Sequence, residues 1–591
     1  MDEIDCIWNT SMFKGFGLFK EKYGDEAINE YFKVLDKYKF KFGISKYSHH
    51  TDHINIMARM NFQYLQCLDL INPKYVEHYK KLWNHEDDNY DILDEKNDGK
   101  IIKLAKYSTD LFEKIAGGSK FHMLKFLGAT DGEMFDLLNN YIKAVYINDI
   151  MLKDPCIKRM IFKKCKKLIE EMKLGKIYCR GFYHTVVGDI VGYLEYVSGM
   201  EPIGVLNEHE FLTQTIFNDN SDVVSFRSPL VCPSEVNKIK MRTGENFNNW
   251  FGHFRNQDVV MINMYDLSMP VQGGMDADGD AVFLSDEPLL VDNKIDKTMV
   301  IDIDDKITAK KVPYNQENII QYELNSRDSR IGEITNIATS ILNKCPEDEK
   351  IKRLYSDDVS LLRLYQGKEI DSIKTGVRWN ITKRLRNNLK KLPYFLLYNY
   401  EDKLRKYHVI KKKNKELDEQ NKIPKNAFNS PSQMNELCDY INMWEKKKIL
   451  WNTSYENTGV LLTDHDINAD NDYIIKQLRK LNRCFEKEWK LLLKEKDKDS
   501  SIDLHKCLNK YKSLILGFLD DKKLLANYFI NVSYSSKSTS KILCWYIFGD
   551  IMIENLIKNS PKFSGSKYVE VKDREEAKYE YLGKYYKVED L

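Results

Sequence analysis

Three aspartates at alternate positions, Asp276, Asp278 and Asp280, stand in the run Gly273-Gly274-Met275-Asp276-Ala277-Asp278-Gly279-Asp280. In an extended chain, side chains at i, i+2 and i+4 share one face. A straight strand would still spread the carboxylates too widely to grip one ion. Gly273, Gly274 and Gly279 give the backbone the freedom to bend sharply and gather them. Three oxygen donors with few others nearby leave positions for water and phosphate, the usual way of holding Mg2+. A Mg2+ so held can activate a hydroxyl and steady a pyrophosphate leaving group in phosphoryl transfer. Two other readings use the same residues. One is an acidic surface turn. The other is a calcium-binding EF-hand, with Asp276, Asp278, Asp280 and Glu287 at its positions 1, 3, 5 and 12. Ala281 stands where that loop needs glycine, and the flanks at 259–262 and 281–284 look like strands where an EF-hand has helices.

The elements that must position this loop change character along the chain. Residues 25–115 read mostly as helix, most clearly over 54–70, where apolar residues recur at three and four. Helical patterning continues over 133–174 and carries the basic run Lys158–Lys167. From Gly175 the texture becomes short apolar runs broken by Gly, Pro and Asn, at 177–179, 223–226, 259–264 and 281–284, which predicts a compact β-barrel. A β-like piece at 298–303 leads to a second helical region over 317–395, with a polar linker beyond it. Ser432 caps a helix over 433–450, another follows over 472–496, and the polar, tyrosine-rich tail after Ser560 reads as loosely ordered.

At 591 residues the chain is too long for one hydrophobic core. Its composition, 42% hydrophobic and 30% charged, is that of a soluble globular protein and excludes wholesale disorder. With 91 Lys and Arg against 89 Asp and Glu, any nucleic-acid binding must use positive charge segregated into a channel. The basic runs 158–167, 383–391 and 403–413 are candidates for its walls, or simply solvated faces. No signal-like leader or long apolar span is present, and the eleven cysteines include no Cys-x-x-Cys, so the chain reads as cytoplasmic with reduced thiols and no zinc spacing.

Gly-Gly-x-Asp-x-Asp-Gly-Asp after a strand resembles the signature of the two-barrel (double-psi β-barrel) RNA polymerases, closest to phage enzymes of the YonO type and to the RNA-silencing RNA-dependent polymerases. Other segments match in order. Phe226-Arg227-Ser228-Pro229 with Pro233-Ser234-Glu235-Val236 is similar to the family's Arg-Ser-Pro segment, and Ile331-Gly332-Glu333-Ile334-Thr335-Asn336 to Ile-Gly-x-Ile-x-Asn. Asp371-Ser372-Ile373-Lys374-Thr375-Gly376 resembles Asp-x-x-Lys-Thr-Gly, Leu392-Pro393-Tyr394-Phe395 resembles Tyr-Pro-x-Phe, Asn61-Phe62-Gln63 resembles Asn-Arg-Gln, and Ser11-Met12-Phe13-Lys14 echoes a Ser-Met-x-Lys-Phe. These segments span residues 11–395.

The resemblance implies an α+β architecture: a double-psi β-barrel carrying the carboxylate loop, flanked by large helical regions. The expected divisions are 1–45, the end of a first barrel or an interface segment; 46–174, a helical connector; and 175–300, the catalytic barrel. They continue with 301–410, a helical bridge- or trigger-like region; 411–430, a linker; and 431–591, a helical C-terminal region. Asp276, Asp278 and Asp280 would hold Mg2+. Arg227, Lys14 and Lys374 would contact the incoming nucleoside triphosphate, while Arg242 and Arg255 approach template or product. The implied activity is template-directed RNA synthesis, with DNA favoured over RNA as template. The other readings are an RNA-dependent polymerase and a non-catalytic nucleic-acid-binding or scaffold subunit. Residues 1–45 leave no room for a complete first barrel, so a second polypeptide is expected to supply it. The expected location is the cytoplasm of a bacterial host, with packaging in a virion as the alternative.

Overall fold

The computed structural model describes residues 10, 13, 15–41, 56–84, 90–129 (without 95 and 98), 139–254, 258–300, 312–326, 330–399, 427–451, 456–493, 500–560 and 566–590. The chain forms two compact units, residues 1–50 and 51–591. In the first, helices Phe16–Tyr23 and Ala27–Tyr38 are joined by aromatic contacts, among them Phe19 to Tyr31 with ring centroids 5.1 Å apart.

The second unit is built round a closed six-stranded barrel: β1 (Phe182–Gly188), β2 (Glu210–Leu212), β3 (Asp222–Phe226), β4 (Asn237–Arg242), β5 (Val259–Ile262) and β6 (Ala281–Ser285). The order round the barrel is β1-β5-β2-β4-β3-β6, with β6 closing on β1. Two pairs are parallel, β1 with β5 and β2 with β4, and the other four are antiparallel. Exchanging β1, β2, β3 for β4, β5, β6 maps this pattern onto itself. The barrel is therefore two interleaved three-stranded halves, each with a strand of the other running between its first two strands, which is the double-psi topology expected from the sequence. Alternation decides which side chains fill it. Val223, Val282 and Leu284 point into a small core with Val186, Phe211, Ile239, Met241, Val260 and Ile262. Val224, Phe226 and Phe283 point outward and join the large helical core.

The helical elements that matter to the site are α1 (Phe62–Gln66), α2 (Pro155–Met172), α3 (Arg330–Leu342), α4 (Glu349–Thr375), α5 (Gln433–Lys448) and α6 (Asp472–Leu492). The single long helix expected over residues 54–70 is replaced by a strand and a short helix. Met57–Arg59 is a strand paired antiparallel with Tyr178–Arg180, and Asn61 then breaks the periodicity by capping α1, its carboxamide oxygen accepting from the amides of Gln63 and Tyr64. Satisfying two orphan amides at the start of a five-residue helix outweighs continuing the apolar stripe. Ser432 does cap α5, accepting from the Asn435 amide.

The tail also departs from expectation. Ser566–Val571, Tyr579–Tyr581 and Lys584–Asp590 form an antiparallel sheet, so the C-terminal region is helical only up to Asn559. Its tyrosines are the reason: Tyr568, Tyr579 and Tyr586 surround Phe121, with Tyr579 stacked at 4.6 Å, so this polar segment buries aromatic area. The β-like piece at 298–303 and the polar linker lie largely or wholly outside the described residues.

Candidate active site

The carboxylate loop connects β5 to β6 by way of a short helix, Ser268–Val271. Two anchors hold it. On one side Met275, 4% exposed, plugs the barrel core beside Val282 and Leu284. On the other, Gln272 is buried; its amide donates to the carbonyls of Ser225 and Glu235, and its oxygen accepts from the Ser225 hydroxyl. Gly273, Gly274 and Gly279 have φ of 76°, 64° and 116°, so the bend uses conformations open to glycine.

Beyond Met275 the chain turns so that one ligand oxygen from each of Asp276, Asp278 and Asp280 lies within 4.8 Å of the others. That aperture accommodates the span of roughly 4.2 Å across an octahedral Mg2+ with its oxygens near 2.1 Å. The donors are all carboxylate oxygens, which suits a hard cation. Asp276 and Asp278 are exposed, leaving room for water or phosphate. The loop's own hydrogen bonds hold the turn: the Asp276 amide donates to Asp280 at 3.1 Å and the Asp278 amide to Asp276 at 3.3 Å. Partial burial, followed by its contact with Asp278, raises the Asp276 carboxyl above its usual range. The flanks rule against an EF-hand, since the loop passes directly into a barrel strand.

Arg227 braces the loop. It follows β3, and its Nη1 donates to the carbonyls of Gln272 and Gly273, both at 3.1 Å, while Nη2 lies 2.8 Å from Asp280 Oδ2. One guanidinium thus fixes both the loop backbone and a ligand carboxylate. Sequence reasoning did not single out what lies behind it. Glu235 is 1% exposed and accepts from the amides of Val231 and Cys232, each at 2.9 Å. Arg363, also 1% exposed, comes from α4 to place Nε 3.0 Å from Glu235 Oε1, though off the hydrogen-bonding direction. Burial pushes the Glu235 carboxyl up to about 7 against the pull of Arg363 and Arg227. Glu235 stands inside a quoted segment, but nothing in its neighbours announces that a helix more than a hundred residues later will carry its partner.

The motif segments at 61–63, 226–236, 331–336 and 392–395 converge here. Asn61 donates to Ser228 Oγ, which donates to Tyr64, and Tyr64 stacks on Phe226 at 4.9 Å. Gln66 of α1 donates to the Thr339 carbonyl of α3, Gln366 of α4 to the Pro229 carbonyl, and Gln433 of α5 to Leu65 and Leu68. Phe62 packs on Phe395 at 5.7 Å. Val231 and Cys232 share a core with Ile334, Ile337, Val359 and Leu362 of α3 and α4. The five-residue α1 is thus the junction of barrel and helices.

Of the other expected site residues, only Arg242 has a described side chain. Arg242, on β4, pairs with Glu210 at 3.2 Å and Asp219 at 3.6 Å and lies over the Phe247 ring, which makes it a brace of the barrel wall. Lys374 falls in the last turn of α4, which Gly376 ends with φ 70°, but its side chain is outside the described residues. Lys14 and Arg255 are outside them too. Among the described residues no helix is long and apolar enough to cross a membrane.

No family model matches the chain. It is 23% identical over 582 residues to the DNA-directed RNA polymerase YonO of Bacillus phage SPbeta, covering 95% of this chain and 59% of that protein. The chain therefore spans well under two thirds of the curated relative it matches. Among solved structures, the RNA-dependent RNA polymerase QDE-1 from Thielavia terrestris aligns with 88% of this chain and 58% of its own, at 13% identity and a TM-score of 0.48.

Proposed function

We propose that this chain is the catalytic part of a template-directed RNA polymerase of the phage type, copying DNA. The observation that carries the reading is the carboxylate triad at the barrel rim, braced by Arg227 and gathered to the size of one Mg2+. Similarity to a DNA-directed polymerase along 95% of the chain supports it. Asp276, Asp278 and Asp280 would hold Mg2+, which supplies charge stabilisation for attack of an RNA 3′-hydroxyl on the α-phosphate. Arg227 keeps Asp280 oriented, and its fork of donors can reach a sugar or phosphate placed over the loop. Lys374 and Lys14 are the further candidates for triphosphate contact, and Arg255 for nucleic acid.

The solvent-facing sides of Asp276 and Asp278 are where the rest of the site must close. In this reading a second polypeptide carrying the other barrel closes it, and the assembly works in the cytoplasm of a bacterial host. The test is primed and unprimed RNA synthesis by the complex recovered with the tagged chain, on single-stranded DNA and RNA templates in Mg2+. Asp278→Ala is expected to abolish synthesis with circular dichroism unchanged. Undiminished synthesis would remove the metal assignment, and preference for the RNA template would replace DNA. Full activity of this chain alone would remove the second polypeptide.

A further inference from the structure

Helix α2 joins the barrel to the C-terminal region. At its far end Glu171 pairs with Arg59 at 2.7 Å, next to the strand pair that enters the barrel. At its start the Asp154 carboxylate caps the helix and accepts from Thr458 and from Tyr534, at 2.6 and 2.7 Å. Eighteen residues make the helix about 27 Å long. Ile157, Ile161, Cys165 and Ile169 form its buried face. The basic run singled out in the sequence, Lys158 to Lys167, is what this leaves outside.

Two cavities meet at the start of that face and share Lys158 and Arg159. The larger, about 440 Å³, is walled by α2, by α6 and by the segment before the helix Ile542–Asn559. Among the described residues its lining holds six basic side chains, Lys158, Arg159, Lys163, Lys490, Lys537 and Lys541, against one carboxylate, Glu486. That carboxylate is engaged by the Ser540 amide at 2.6 Å. Lys541 is buried, and its ammonium gathers the carbonyls of Ser536, Lys537 and Thr539, which fixes the Ser538-Thr539-Ser540 edge at the cavity. Trp489 lies in the same wall. The smaller cavity, about 330 Å³, has its own aromatic pair, Trp451 edge-on to Phe162 at 4.7 Å. Burial, then the charges of Lys537 and Lys153, hold the Lys158 ammonium below its usual range.

We propose that these joined cavities bind a single-stranded polynucleotide, its phosphates against Lys158, Arg159, Lys163, Lys490 and Lys537 and its bases on Trp489 and the Trp451–Phe162 pair. A cationic trough interrupted by aromatic platforms is how unpaired strands are held. A duplex keeps its bases stacked inside and has none to offer. Placed one helix length from the barrel entry, the trough would carry a strand on its way to or from the carboxylate loop, and in that respect it rests on the polymerase reading.

The test measures binding of a fluorescent oligothymidylate of about 15 nucleotides to the full chain over a series of salt concentrations. The triple variant Lys163→Glu, Lys490→Glu, Lys537→Glu changes only exposed side chains. It is expected to weaken binding at least roughly tenfold and to lower the salt slope by about 2, since each phosphate contact to a single strand contributes about 0.7. Unchanged affinity and slope in the triple variant would overturn the proposal. So would inorganic polyphosphate of equal charge competing as well as the oligonucleotide, because only the latter can use the aromatic platforms. The two readings separate cleanly: RNA synthesis by the unaltered complex with an unaffected triple variant removes the trough alone, and no RNA synthesis by that complex, with oligonucleotide binding still weakened in the triple variant, removes the polymerase reading alone.

Discussion

At the scale of single residues, the loop depends on glycines for two different reasons. Gly273 and Gly274 both have positive φ, so an alanine at either costs about 1–2 kcal/mol of backbone strain. Only Gly273 is also close to Arg227: a β-carbon there would sit 2.8 Å from Nη1, whereas Gly274 has nothing within 4 Å. The guanidinium is the far end of a flexible side chain and will move. Moving it, however, forfeits the bonds to Gln272, Gly273 and Asp280. Gly273→Ala and Gly274→Ala should therefore lose similar stability in thermal melts, while the proposed RNA synthesis falls at least roughly tenfold further in Gly273→Ala, as for loss of one charge-assisted interaction at a reacting centre. Equal activities would mean that Arg227 serves the backbone turn and nothing else.

At the scale of elements, the contact of α4 with the barrel includes a buried charge pair, Arg363 with Glu235. Removing one partner of such a pair strands the other, at a cost of about 3–5 kcal/mol, whereas replacing both can be nearly neutral. Arg363→Met is expected to lower unfolding stability in denaturant by that amount, and adding Glu235→Gln should recover most of it. Additive losses would show that the two side chains do not depend on each other. This pair also marks the limit of what the sequence discloses. The Asp276-x-Asp278-x-Asp280 spacing and the order of the motif segments are local, and both barrel and loop follow from them. Three of the six barrel strands, β3, β5 and β6, are short apolar runs that can be read directly, whereas the run at 177–179 pairs with Met57–Arg59 outside the barrel and β1, β2 and β4 carry no such run. Burial of a Glu or an Arg is not local, and neither residue type advertises it. The same limit explains α1, where a stripe at three and four was legible but the cap at Asn61 and the pairing of Met57–Arg59 with Tyr178–Arg180 decided the outcome. The tail was misread for a related reason, since its tyrosines find Phe121 only in three dimensions.

At the scale of the whole molecule, the C-terminal region is bound to the rest through α5, which is buried along most of its length and carries an ionisable group in the contact. Glu436 is 0% exposed; its Oε1 accepts from Asn72 at 2.7 Å and its Oε2 has no hydrogen-bond partner among the described residues. Burial, opposed by the Asn72 hydrogen bond, raises this carboxyl from its ordinary value of 4.5 to about 7. The folded state thus binds a proton that the unfolded chain releases between those two values. The associated stability is fully present below about pH 4.5 and is lost as the pH rises through about 7. The whole of that shift corresponds to an order of 3 kcal/mol. Glu436→Gln keeps the shape and removes the titration, so its stability relative to the unaltered chain should improve as the pH is raised from 5 to 8. Urea unfolding at a series of pH values measures this difference. A difference that stays flat across that range would show that Glu436 is already ionised in the folded protein, and that the junction between α5 and the Asn72 segment tolerates a buried charge.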